Sequence, residues 1–138
     1  MKRKNPKYKF ENTLLIDDND LDNFINQKMM ESAHFSEKIH ICMNGEFALD
    51  FINSLIASEN KLYPDIMFVD FNMPVMDGFE FIENFKKIND EELMKSKIVI
   101  LTSSIDHEDR VKAEKIDSSI TFINKPLTSE FLNIFNVF

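Results

Sequence analysis

The feature that most restricts this chain is an alternation. Five times a short apolar run of four to six residues gives way to a polar break, then to a segment with apolar residues at helical spacing. Thr13-Leu14-Leu15-Ile16 is the first run, stopped by Asp17-Asp18-Asn19-Asp20; the period then switches, with Leu21, Phe24, Ile25 and Met29 on one helical face. Lys38 to Met43 reads as a second strand. Asn44-Gly45 precedes a helix whose buried side is Ala48, Phe51, Ile52, Leu55 and Ile56. A third strand, Asp65 to Asp70, follows Pro64 and leads through the loop Phe71 to Gly78 into a helix with an inner face of Phe81, Ile82, Phe85 and Ile88. Asp77 suits the N-cap of that helix, with Glu80 placed to reach back as in a capping box. The fourth strand is Lys97 to Thr102, followed by a more polar helix at about His107 to Ile116. The fifth is Ile120 to Ile123, and Lys125-Pro126 precedes a last helix carrying Leu127, Phe131, Ile134, Phe135 and Phe138.

Strands apolar on both faces, each followed by a helix, call for a parallel sheet covered on both sides. The predicted fold is therefore a doubly wound α/β domain. The 138 residues suit one such domain, and at that size roughly two-thirds of the unfolded chain's surface is buried without staples. Residues 1–11 read as a basic tail and residues 12–138 as the domain. Residues 1–10 hold Lys2, Arg3, Lys4, Lys7 and Lys9 and no acid, whereas residues 11–138 set 11 cations against 24 acids. A body so acidic repels nucleic acid. The tail lacks the apolar stretch of a signal peptide, and nothing predicts a membrane span. Cys42 is the single cysteine; it fits neither an internal disulfide nor a zinc spacing, which points to a reducing compartment and a cytoplasmic location.

In doubly wound sheets, ligands sit at the carboxyl ends of the strands, where strand order reverses. Here the first strand ends in Asp17-Asp18, the third in Asp70 and the fourth in Thr102, and Asn124-Lys125-Pro126 follows the fifth. Carboxylates crowded together raise each other's pKa, so something must neutralise them. Lys125 supplies one charge. A hard divalent ion such as Mg²⁺ suits the remainder, because it takes one or two carboxylates, a backbone carbonyl and retained waters. An ion so held polarises a phosphoryl group, and a central carboxylate can accept that group as an acyl phosphate.

At these residues the chain resembles the receiver domain of two-component response regulators. The resemblance rests on Leu14-Leu15-Ile16-Asp17-Asp18, Phe68-Val69-Asp70-Phe71-Asn72-Met73-Pro74-Val75-Met76-Asp77-Gly78, Ile100-Leu101-Thr102-Ser103 and Phe122-Ile123-Asn124-Lys125-Pro126. It implies a flavodoxin-like five-stranded parallel sheet in the order 2-1-3-4-5 with five helices. It also implies roles for single residues. Asp70 would be the phosphoacceptor and would share a Mg²⁺ with Asp18 directly, with Asp17 through water, and with the backbone carbonyl of Asn72. Lys125 would pair with the phosphoryl oxygens, Thr102 would swing its hydroxyl onto them, and Phe122 would turn inward as the switch aromatic. The Lys125-Pro126 bond would be cis.

The function so implied is a phosphorylation-activated switch rather than a turnover enzyme. It would be charged by a sensor histidine kinase or a histidine phosphotransfer protein and would act on a downstream protein target. Because the chain ends in the last helix, no output domain is expected, and the domain itself is not expected to bind nucleic acid or membrane. An alternative is a phosphorylation-independent interaction module on the same fold. A phosphatase with an Asp nucleophile is disfavoured because Asn72 stands where such enzymes place a second acid. A nucleotide site is disfavoured because Gly45 and Gly78 are the only glycines. His34, His40 and His107 have no metal spacing. Three features depart from the family pattern. Asp117-Ser118-Ser119 replaces the usual Gly-Ala before the fifth strand, Ser103 replaces Ala or Gly, and Asn72 and Ser104 fill variable positions that imply an intermediate phosphoryl lifetime.

Overall fold

The computed structural model describes residues 5–103 and 106–135. Its elements alternate as the sequence pattern predicts: β1 (Phe10–Ile16), α1 (Asp20–Ser32), β2 (Ser36–Cys42), α2 (Gly45–Ala57), β3 (Ile66–Asp70), α3 (Gly78–Lys86), a 3-10 turn (Leu93–Lys95), β4 (Lys97–Thr102), α4 (His107–Ile116), β5 (Thr121–Asn124) and α5 (Ser129–Asn133). All pairings are parallel, in the order β2-β1-β3-β4-β5. Strand order reverses between β1 and β3, which puts the ligand crevice at their carboxyl ends.

The strand period of two divides the core in two. Leu14, Ile16, Met67, Val69, Ile98 and Ile100 face one layer, with Ala48 and Ile52 of α2, Phe81, Ile82 and Phe85 of α3, and Ala113 of α4. Leu15, Ile66, Phe68, Val99 and Leu101 face the other, with Met30 of α1 and Leu132 of α5. In the second layer Phe35 meets Phe10, Phe68 and Phe135 at ring-centroid distances of 5.1, 5.7 and 5.9 Å, within the range for tilted and edge-to-face pairs. Phe135 is partly buried and packs against this layer; Phe138 lies outside the described residues. The capping box on α3 is present: Asp77 Oδ1 accepts from Glu80 N at 2.9 Å, and Glu80 Oε1 accepts from Asp77 N at 3.3 Å.

Three expectations need correction. On α1 three of the four residues of the apolar stripe face water, Leu21 at 64% exposed, Phe24 at 57% and Ile25 at 43%, while Met29 is partly buried against the second core layer. Asn23, Asn26 and Met30 are buried instead, on roughly the opposite face of the helix. On the buried face Asn23 Nδ2 donates to the Asp17 carbonyl at 2.9 Å, which gives the buried amide nitrogen a partner. Second, the edge strands are not apolar on both faces. Glu37, Lys38 and His40 of β2 and Thr121 and Asn124 of β5 are exposed, and charge on an edge discourages pairing with other chains. Third, β1 starts at Phe10, inside the segment read as tail. Phe10 N donates to Phe35 O at 2.9 Å. Lys9 Nζ donates to the carbonyls of Leu132 and Phe135 at 2.9 and 3.3 Å, satisfying groups at the end of α5.

The turn before β5, which lacks glycine, is held by a side chain. Asp117 Oδ1 accepts from the backbone N and the hydroxyl of Ser119 at 2.9 and 2.6 Å, and Oδ2 accepts from Lys86 Nζ at 2.6 Å. Burial by itself would raise this carboxyl, but the bonds from Lys86 and Ser119 outweigh it and hold the pKa at about 2. The folded value lies below the ordinary one, so the stabilisation is complete above about pH 4 and is lost as pH falls toward about 2. Asp117→Ala therefore lowers stability by about 1–3 kcal/mol near pH 7. Denaturant titrations of variant and parent should differ less at about pH 3; an equal difference at both pH values would contradict this account.

Candidate functional site

Each strand end delivers its side chain by a local device. After β1, Asp17 N donates to Cys42 O at 3.2 Å, which extends the ladder one step and keeps Asp17 buried while Asp18 turns to solvent. Asp17 Oδ1 accepts from Asn19 N at 3.0 Å, and Asn19 in turn caps α1 by accepting from Asp22 N at 2.9 Å. At the end of β3, Asp70 is 4% exposed. The loop beyond it folds back closely: Gly78 N donates to Phe71 O at 3.0 Å, and a Cβ on Gly78 would stand 3.0 Å from the Asp70 carbonyl oxygen and 3.1 Å from Phe71 Cα. Only glycine permits that approach without moving the Asp70 backbone. Val75 in the same loop has φ 69 and is 95% exposed; a β-branched residue in the left-handed region marks local strain beside the site.

β4 ends in buried Thr102, whose carbonyl accepts from Lys125 N at 2.8 Å. That bond extends the β4–β5 ladder by one residue and aims Lys125 back across the sheet toward β1 and β3. The Lys125-Pro126 bond is cis, as the resemblance implied. Lys125 Nζ then meets three carboxylates: Asp22 at 2.9 Å, Asp17 at 3.0 Å and Asp70 at 3.1 Å.

Residues far apart in the chain thus meet at one rim. Asp17, Asp18 and Asp70 each offer a carboxylate oxygen, and these oxygens lie within 4.8 Å of one another. Burial first, then repulsion from Asp17, push Asp70 up to about 6, against the downward pull of its bond to Lys125; Asp18 adds a further upward push. Burial disfavours the Lys125 charge, but its bonds to Asp22, Asp17 and Asp70 overcome that and hold the ammonium above the usual lysine range. The site is short of positive charge, and its donors are hard oxygens. That set fits a small divalent cation such as Mg²⁺.

The other expected residues surround this centre. Thr102 stands one residue beyond Leu101, the register partner of Asp70. Asn72 is exposed two residues past Asp70. Phe122 pairs with Ile100 across β4 and β5, packs half-buried against the first core layer, and has the Arg110 guanidinium 5.7 Å from its ring centroid. Ser103 is exposed, and Ser104 lies outside the described residues. One contributor escaped the sequence reading. Asp22 is an acid in the first turn of α1, a place where acids are common because of the helix dipole; its five-residue offset from Asp17 is the signal in the sequence that it can turn back to the same rim.

Comparisons with known proteins agree with this arrangement. A family model described as the response regulator receiver domain matches residues 13–134. The crystal structure of a two component response regulator from Cytophaga hutchinsonii is similar at 36% identity and a TM-score of 0.81, covering 91% of this chain and 92% of that one. A protein-glutamate methylesterase/protein-glutamine glutaminase of Treponema denticola is 30% identical over 125 residues, which are 90% of this chain but 31% of that protein. Response regulator Rcp1 of Synechocystis sp. is 25% identical over 103 residues, 75% of this chain and 69% of Rcp1. The chain spans under a third of the methylesterase relative.

Proposed function

This chain belongs to the response regulator receiver domain family, and on that premise we propose that it accepts a phosphoryl group on Asp70 and thereby changes the surface it offers to a protein partner. The observation that carries the reading is the buried Asp70 carboxylate, bonded to Lys125 and sharing one rim with Asp17 and Asp18. The donor is a histidine kinase or a histidine phosphotransfer protein, as befits the family.

Asp17, Asp18 and Asp70, with the carbonyl of Asn72, are the groups that would hold Mg²⁺. When bound, the ion draws charge from the incoming phosphoryl group and screens it from the carboxylates. Asp70 is the nucleophile: one Oδ forms the new bond to phosphorus, and the phosphorus–nitrogen bond of the donor histidine breaks with its electron pair on the imidazole. Lys125 moves with little displacement from carboxylate to phosphoryl oxygen. The product adds roughly two negative charges and three acceptors at a buried position. The Thr102 hydroxyl, at the adjoining strand end, turns to those acceptors. The space it leaves lies toward β5, so Phe122, gripped from α4 by Arg110, changes rotamer and alters the α4–β5 surface. Hydrolysis of the acyl phosphate resets the switch, so the chain is a switch rather than a turnover enzyme.

Among the described residues no helix is long and apolar enough to cross a membrane. The free Cys42 thiol, pushed up by burial, suits the reducing cytoplasm in which such a donor works. The exposed Leu21, Phe24 and Ile25 on α1 adjoin the Asp22–Lys125 contact and supply an apolar surface for the donor protein. Incubation of the chain with Mg²⁺ and acetyl phosphate should yield a single phosphoryl adduct by intact mass. A folded protein that takes no adduct would overturn the reading.

A further inference from the structure

Lys125 has three N–H donors, and three carboxylates engage its Nζ: Asp22 at 2.9 Å, Asp17 at 3.0 Å and Asp70 at 3.1 Å. A phosphoryl oxygen can reach the ammonium only by displacing one of them. The three are not equally easy to displace. The side chains of Asp17 and Asp70 are 0% and 6% exposed, whereas that of Asp22 is 36% exposed. Releasing a buried carboxylate from its cation leaves a charge that water cannot reach, whereas an exposed carboxylate returns to water at little cost. Asp22 is the partner that yields.

Asp22 is also held in place for this contact. Asp17 Oδ1 accepts from Asn19 N, Asn19 Oδ1 accepts from Asp22 N, Asp22 Oδ2 accepts from Lys125 Nζ, and Lys125 Nζ donates to Asp17 Oδ2, which closes a ring of hydrogen bonds. The first turn of α1 therefore presents the Asp22 carboxylate to the ammonium in a fixed geometry.

We propose that Asp22 tunes phosphoryl transfer through Lys125: it occupies one N–H donor of the ammonium and competes with the phosphoryl group for it, which sets the concentration of donor the site requires. The inference rests on the reading of Asp70 as phosphoacceptor. Removing the Asp22 charge frees one donor of Lys125 and withdraws a negative charge from the path of a dianionic ligand. Lys125 stays tethered by Asp17 and Asp70, so the maximal rate should change little.

The test compares Asp22→Asn, Asp22→Ala and Asp22→Glu with the parent at saturating Mg²⁺, reading adduct formation against acetyl phosphate concentration. Folding of each variant is checked by thermal melt. In the Asn and Ala variants the half-saturating concentration should fall roughly three- to tenfold, the size expected for removing one partly screened charge. The maximal rate should hold within about twofold, and beryllium fluoride, a phosphoryl analogue, should bind tighter by a similar factor. Asp22→Glu keeps the charge and should restore the parent value. If the half-saturating concentration and the analogue affinity stay at the parent value, or if Glu behaves like Asn, the role of Asp22 is overturned. If the parent itself takes neither adduct nor analogue, the reading of Asp70 fails instead.

Discussion

Asp70→Asn should take no phosphoryl group under conditions that label the parent, and the metal-free variant should be more stable than the parent near neutral pH. The first effect follows from chemistry: an amide oxygen is a poor nucleophile, and the product would no longer be an acyl phosphate. The second follows from burial. Asp70 has a pKa of about 6 against an ordinary 3.8, so its ionised form is disfavoured in the folded chain relative to the unfolded one. The folded value is raised, so the folded state binds this proton more tightly. The penalty is therefore full above about pH 6 and disappears as pH falls from about 6 to about 4. Neutral Asn avoids the penalty, which corresponds to a gain of about 3 kcal/mol near pH 7. Denaturant titrations in the presence of a chelator should show the parent gaining stability relative to the variant between about pH 6 and about pH 4. Parallel pH profiles would refute the account, as would an adduct on the variant.

Lys125→Met should be the most destabilising change at this rim. The substitution keeps length and apolar stem but leaves the buried Asp17 and Asp70 without the ammonium that bonds them at 3.0 and 3.1 Å. Breaking a buried ion pair on one side costs about 3 kcal/mol, because the abandoned charge stays in a poorly solvated place. The expected signature is coupling. In the Lys125→Met background, Asp70→Asn should stabilise by at least about 1 kcal/mol more than it does in the parent, since it removes a carboxylate that has lost its partner. Saturating Mg²⁺ should recover much of the loss, because anything that binds only the folded state stabilises it. Strict additivity of the two substitutions would mean that Asp70 and Lys125 do not share one electrostatic site.

Sequence reading and structure part company at particular residues. Buried strands announce themselves, because β1, β3 and β4 are apolar on both faces and each is stopped by acids or a hydroxyl. The α3 capping box is equally legible, since Asp77 and Glu80 are three residues apart and their partners are local. On α1 the same logic misleads: Leu21, Phe24 and Ile25 form a stripe at the proper spacing, yet face water. Periodicity reports which residues share a face, but it cannot say which face turns inward. That was settled by contacts between elements, with Met30 packed into the second core layer and Asn23 Nδ2 bonded to the Asp17 carbonyl. The turn at Asp117 failed to follow the pattern for a similar reason. One of its partners, Lys86, sits on another helix 31 residues away.

From composition and order alone came the parallel sheet, the strand ends on which the chemistry stands, and the residue types, acid, hydroxyl and ammonium, that a phosphoryl-accepting rim needs. Those are local properties, written in short runs and in what stops them. Distances came from elsewhere. That Lys125 reaches Asp17 and Asp70, and that Asp22 joins them, depends on β5 lying two strands from β3 and on the rotation of α1 about its own axis. Both are results of packing many side chains at once, and so they exist only in the folded chain.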